Sequence, residues 1–127
     1  MTDREFRKIL RERGCPEHLI RGGRTGLIRQ WVAFVNEVEQ GYELGFYDYA
    51  NDLDLRTLLA ETSLDVDSQV MQADDRLRKM LRATEKPIWH GPDDAYWVRG
   101  YPRNAGPELM DDLRARGLIP GGAGPQA

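Results

Sequence analysis

The apolar pattern between Arg24 and Gln40 restricts the fold of this chain more than any other feature. Large apolar residues recur there every three or four positions, at Leu27, Trp31, Phe34, Val35 and Val38, and Ile28 and Val32 widen the stripe. A helix that is apolar over so much of its circumference is typical of the central helix of a bundle. Gly41 follows it, which is a common way for a helix to end. We therefore predict a mainly α fold built around this helix.

Further helices are predicted on both sides of the central one. Thr2 and Glu5 have the spacing of a capping box, with Phe6, Ile9 and Leu10 on one face behind them. A third helix is expected from residue 47 or 48 to about 61, and a fourth begins at residue 65 or 67 and includes Leu81. Pro107 is suited to open a short last helix. The glycine-rich segment 15–26 is interpreted as mainly a connection, in which residues 18–20 can form one short turn.

The helical pattern stops at Pro87, and the following residues suggest strands. Ile88 to His90 and Ala95 to Val98 flank the turn-forming sequence Gly91-Pro92-Asp93-Asp94. We predict a single-domain helical bundle over residues 1–119, with about four main helices, a small β-hairpin near residues 88–98 and a short C-terminal helix. Residues 120–127 are rich in glycine and proline and are expected to be a disordered tail.

Composition narrows the class of protein. The chain has 127 residues, of which 40% are hydrophobic and 31% are charged, as expected for one soluble globular domain. We find no apolar run long enough to span a membrane and no secretory signal, so we expect a cytoplasmic protein without a membrane partner. The single cysteine excludes an intramolecular disulfide, and no motif calls for a cofactor.

Charge is unevenly distributed along the chain. Residues 1–31 carry eight basic and four acidic side chains. Residues 32–75 carry one basic and eleven acidic side chains, and residues 76–127 carry nine basic and six acidic ones. The acidic middle can be screened by the basic segments after folding, or it can form an exposed face for a basic partner. The candidate residues for such a face are Glu37, Glu39, Glu43, Asp48, Asp52, Asp54 and Glu61, which should then be open to solvent.

Two of these carboxylates also suggest a metal site. Asp48 and Asp52 are one helical turn apart, and together with His90 they can supply ligands to a divalent cation. The alternative is structural, with Asp48 as a helix cap and Asp52 in an ion pair with Arg56 one turn later.

Aromatic residues are concentrated late in the chain. Trp89, Tyr96, Trp97 and Tyr101 lie within a short segment and are suited either to an interface or to a small core beneath the hairpin. Trp89, Trp97 and Tyr101 are therefore candidate partner-binding residues.

The favoured hypothesis is a non-catalytic protein-binding module, such as an inhibitor, an immunity-type protein or an adaptor, that presents an acidic face to a basic partner. A small metal-dependent enzyme or metal-binding protein is the alternative. A nucleic-acid-associated protein comes third, because the net charge is −3 and nucleic-acid binders usually carry a strongly basic patch.

Overall fold

A computed structural model describes residues 1–121 and is mainly α-helical, as predicted. The five helices in this range are α1 (Asp3–Glu12), α2 (Glu17–Gln40), α3 (Phe46–Glu61), α4 (Ser68–Met80) and α5 (Pro107–Ala115). Short 3₁₀ turns cover Leu64–Val66 and Tyr96–Val98, and strands β1 (Leu81–Ala83) and β2 (Gly100–Pro102) form one antiparallel pair. The bundle, the small strand pair and the C-terminal helix are thus all confirmed.

Helix α2 is the central helix of the bundle. Its predicted stripe is buried, with Leu27, Trp31, Val35 and Val38 fully inaccessible and Phe34 3% exposed. The helix packs against α4, α1 and α3. The wide apolar surface predicted from the sequence is therefore buried against helices on several sides, which places α2 at the centre of the core.

The segment interpreted as a connection is instead the start of α2. The helix begins at Glu17 and bends at Gly23, whose φ of 61° and ψ of −155° lie outside the helical region. Arg7 of α1 donates hydrogen bonds to the carbonyls of Ile20 and Arg21, at 3.1 and 3.4 Å, just before the bend. The prediction of a connection was wrong, although the short turn expected at residues 18–20 lies within the helix. Gly23 bends the helix without ending it, and Arg7 binds two carbonyls beside the bend.

The two strands lie just outside the segment in which the hairpin was predicted. β1 pairs with β2 in the register Leu81↔Pro102, Arg82↔Tyr101 and Ala83↔Gly100. One hydrogen bond joins the two segments predicted as strands, from the amide of Ile88 to the carbonyl of Val98 at 2.7 Å. The chain from Tyr96 to Val98 nevertheless forms a 3₁₀ turn and not a strand. This turn buries Trp97 and Val98, which an exposed hairpin would leave half open to solvent.

Residues 122–127 lie outside the described part of the chain, and so does most of the tail expected at 120–127. Within residues 1–121, no helix combines the length and the apolar character needed to cross a membrane.

Candidate functional site

Arg56, the only basic residue of the acidic middle segment, is buried and bound to Asp74 of α4. Its Nε and Nη2 atoms donate to the two carboxylate oxygens at 3.0 and 2.9 Å. Trp31 Nε1 and the Tyr96 hydroxyl donate to Oδ1 of the same carboxylate at 3.1 and 2.6 Å. The predicted pairing of Asp52 with Arg56 is therefore wrong, because the guanidinium group points into the core, where Asp74 offers a desolvated partner.

Asp52 lies at the edge of the core, in a strongly acidic environment. It is half-buried, and its Oδ2 accepts a hydrogen bond from the Tyr42 hydroxyl at 3.3 Å. The pKa of Asp52 is raised to about 7, mainly by burial and next by the charge of Glu37, with a smaller contribution from Asp48 and against the opposing effect of the Tyr42 hydrogen bond. This carboxyl therefore gains or loses a proton near neutral pH.

Helix α5 brings two more carboxylates to the same end of the molecule. Asp112 Oδ2 accepts a hydrogen bond from the amide of Phe46, at 3.0 Å, in the first turn of α3. The Glu108 and Asp112 carboxylates lie against Gly45, so closely that a Cβ atom on Gly45 would collide with Glu108. The Glu43 carboxylate approaches Gly106 just before α5. We call the resulting group the acidic face, and its members are Glu37, Glu43, Asp48, Asp52, Glu108 and Asp112.

The sequence did not assign Glu108 and Asp112 to this face, because they belong to a segment with a net positive charge. Their spacing of four residues on a predicted helix places both on one side, but nothing local shows that this side meets the start of α3. The contact is fixed by the tertiary fold, in which the amide of Gly106 donates to the carbonyl of Tyr42 at 2.7 Å.

Three carboxylates of the predicted set have partners of their own. Glu39 pairs with Arg76 at 3.0 Å, and Glu61 pairs with Arg13 at 2.6 Å. Asp54 accepts a hydrogen bond from Trp89 Nε1 at 2.8 Å. All three are exposed but lie outside the acidic face as defined above.

In contrast, four members of the acidic face have no hydrogen-bond or ion-pair partner for their side chains within residues 1–121. These are Glu37, Glu43, Asp48 and Glu108, and all four are exposed. Leu44 and Tyr47, 44% and 69% exposed, lie in the loop and the first turn of α3 that carry the same carboxylates. The guanidinium group of Arg116 is 4.8 Å from the Tyr47 ring centroid and 4.1 Å from that of Phe46.

The late aromatic residues mostly serve the core. Trp97 and Tyr101 are 6% and 9% exposed, and Trp97 Nε1 donates to the Thr57 hydroxyl at 3.1 Å. Both pack in the core, as expected for a small strand pair that needs the helices for its stability. Trp89 is half-buried and stacks on His90 with ring centroids 4.4 Å apart.

The proposed metal ligands are not gathered into one site. His90 Nε2 lies 3.5 Å from Asp54 Oδ1, whereas Asp52 is bonded to Tyr42 and Asp48 is open to solvent. Within residues 1–121, no group of three or more His, Cys, Asp or Glu side chains is arranged to hold a metal ion.

No protein family, curated protein or solved structure matches this chain.

Proposed function

We propose that this protein is a non-catalytic cytoplasmic protein-binding module, of the inhibitor, immunity-type or adaptor class, whose acidic face binds a basic partner. The observation that carries the proposal is the convergence of exposed carboxylates from α2, the loop after it, α3 and α5 that find no partner among residues 1–121. Like charges brought together in this way destabilise the free protein, and a cationic partner removes that penalty.

The surroundings of the face suit a protein partner. Exposed Leu44 and Tyr47 offer apolar area among the carboxylates, and tyrosine is enriched in protein interfaces. A docked cation also favours the ionised form of Asp52, so binding should release a proton near neutral pH. No comparable observation favours the metal-dependent or the nucleic-acid hypothesis.

The proposal is tested by capturing the partner from extract of the native host with matched immobilised proteins. One variant neutralises the face by the substitutions Glu37→Gln, Glu43→Gln and Asp48→Asn. The control variant changes net charge equally through Glu12→Gln, Glu85→Gln and Asp94→Asn, all at exposed positions elsewhere. We expect a basic protein to be retained by the wild type and by the control, to be lost from the face variant, and to elute with added salt.

Two results would contradict the proposal. In the first, the face variant retains the same proteins as the wild type. In the second, both variants lose them equally, which would mean that only net charge matters.

A further inference from the structure

A cleft of about 570 Å³ lies between α3 and the segment that joins α1 to α2. One wall is a single face of α3, on which the lining residues recur every three or four positions, at Asn51, Asp54, Leu55, Leu58 and Glu61. The opposite side is lined by Cys15, Pro16 and Leu19. The volume falls within the range of roughly 300–1,000 Å³ that is usual for small-molecule sites.

The floor of the cleft is apolar. Leu55 and Leu58 expose only 9% and 7% of their surface, and Leu19 packs on the core beside them. Burial raises the pKa of the Cys15 thiol, which keeps this side chain uncharged at neutral pH. The apolar part of a small ligand can therefore pack against this floor.

The polar groups at the rim select the charge of the ligand. Asp54 Oδ1 accepts from Trp89 Nε1 and lies near His90, whereas Oδ2 has no hydrogen-bond partner within residues 1–121, and 47% of the side chain is exposed. At the other end, Arg13 is already bound to Glu61 at 2.6 Å. The Arg13 charge is offset by Glu61, so the Asp54 carboxylate, with its Oδ2 free to accept, leaves the charged lining residues Arg13, Asp54 and Glu61 with a net charge of −1.

We propose that this cleft binds a small amphipathic cation, in which an ammonium or amidinium group contacts Asp54 and an aromatic or alkyl body lies on Leu55 and Leu58. An anionic ligand of the same shape would be repelled by the Asp54 and Glu61 carboxylates. The proposal concerns a surface different from the acidic face and does not depend on the function proposed for it.

Cys15 provides the assay, because it is the only cysteine in the chain. The full chain is alkylated with iodoacetamide, and the rate is followed by mass spectrometry in the presence of benzamidine, benzamide or benzoate. These probes are similar in shape and differ in charge. We expect benzamidine to slow alkylation saturably below about 10 mM, with about 10-fold lower affinity for benzamide and still lower affinity for benzoate. The rate with free cysteine controls for effects on the reagent.

The role of the carboxylate is tested with Asp54→Asn, which keeps an oxygen for Trp89 and removes the charge. In this variant benzamidine should protect Cys15 no more than about twofold better than benzamide. Asp111→Asn, at an exposed position on α5, should leave the wild-type preference intact. Absence of protection at about 10 mM, equal protection by benzoate, or an unchanged preference in Asp54→Asn would overturn the proposal.

Discussion

At the scale of single residues, the ionised form of Asp52 is unfavourable because the side chain is half-buried and faces Glu37 and Asp48. Its pKa is about 7 in the folded protein, well above the value near 4 that an aspartate has in an unfolded chain. Between these two pH values the folded state holds a proton that the unfolded state has lost. The stabilisation that protonated Asp52 gives the folded state is therefore fully present below about pH 4. The free energy of unfolding then falls as the pH rises from about 4 to about 7, where this stabilisation is lost.

We predict that Asp52→Asn stabilises the protein by about 1–2 kcal/mol at pH 8, a value reduced from the full shift because the group is partly solvated. The amide oxygen still accepts the hydrogen bond from Tyr42, so only the charge is lost. Urea unfolding at several pH values measures the effect, and the gain should shrink to nothing near pH 4. The exposed control Asp93→Asn should show no such trend, and a gain independent of pH would contradict this explanation.

The residues around Arg56 show where sequence reasoning stops. Its place on one side of α3 with Tyr49 and Leu53 follows from helical spacing, and all three are buried as that spacing predicts. Its partner does not follow, because Asp52 and Asp74 are both carboxylates and only the packing of α4 on α2 decides between them. Asp74 also accepts from Trp31 and Tyr96, which are far from each other in the sequence.

At the scale of elements, the bend in α2 depends on one glycine. Gly23 combines positive φ with a ψ near −155°, a region that residues with a Cβ atom rarely occupy. A Cβ atom there would also lie 3.2 Å from Arg7 Nη2. Neighbouring Gly22 has ordinary helical geometry, and apart from the backbone of its own helix no atom of residues 1–121 lies within 4 Å of such a Cβ. Alanine is therefore expected to have opposite effects at these two adjacent positions.

We predict that Gly23→Ala lowers the free energy of unfolding by about 1–3 kcal/mol, because alanine is strained in this conformation. Gly22→Ala should instead raise it by about 0.5–1 kcal/mol, since alanine restricts the unfolded chain and fits a helix. Both values come from urea unfolding under the same conditions. Equal effects of the two substitutions would mean that the bend does not depend on Gly23.

The elements also differ in how well the sequence predicts them. Long periodic helices such as α2 and α4 follow from their apolar spacing. The sequence placed the strand pair at residues 88–98, because Gly91 to Asp94 are typical turn residues. The observed pairing instead joins β1 and β2, which lie on either side of a longer loop that contains this turn. Short strands depend on tertiary contacts more than on local pattern, so their position is the part that the sequence determines least.

At the scale of the whole molecule, the fold screens the acidic segment only in part. Arg13 and Arg76, from the basic segments, cover Glu61 and Glu39, as the screening interpretation expects. The acidic face keeps carboxylates that have no partner in the described part of the chain, and it includes Glu108 and Asp112 from a segment of opposite net charge. The charge distribution along the sequence thus named four of the six residues of this face and missed Glu108 and Asp112, whose position is set by the packing of α5 against the start of α3.

Repulsion among the carboxylates of the acidic face lowers the stability of the isolated protein. At low ionic strength, the variant Glu37→Gln, Glu43→Gln, Asp48→Asn should unfold at a urea concentration about 0.3 M higher than the wild type, because mutual repulsion is removed. Added NaCl screens the same repulsion in the wild type, so the difference should nearly vanish at about 1 M salt. Exposed ion pairs elsewhere weaken equally in both proteins and cancel in the comparison. The equal-charge control Glu12→Gln, Glu85→Gln, Asp94→Asn should show little difference at either salt concentration. A face variant that is no more stable than this control at low salt would mean that the carboxylates do not repel one another appreciably.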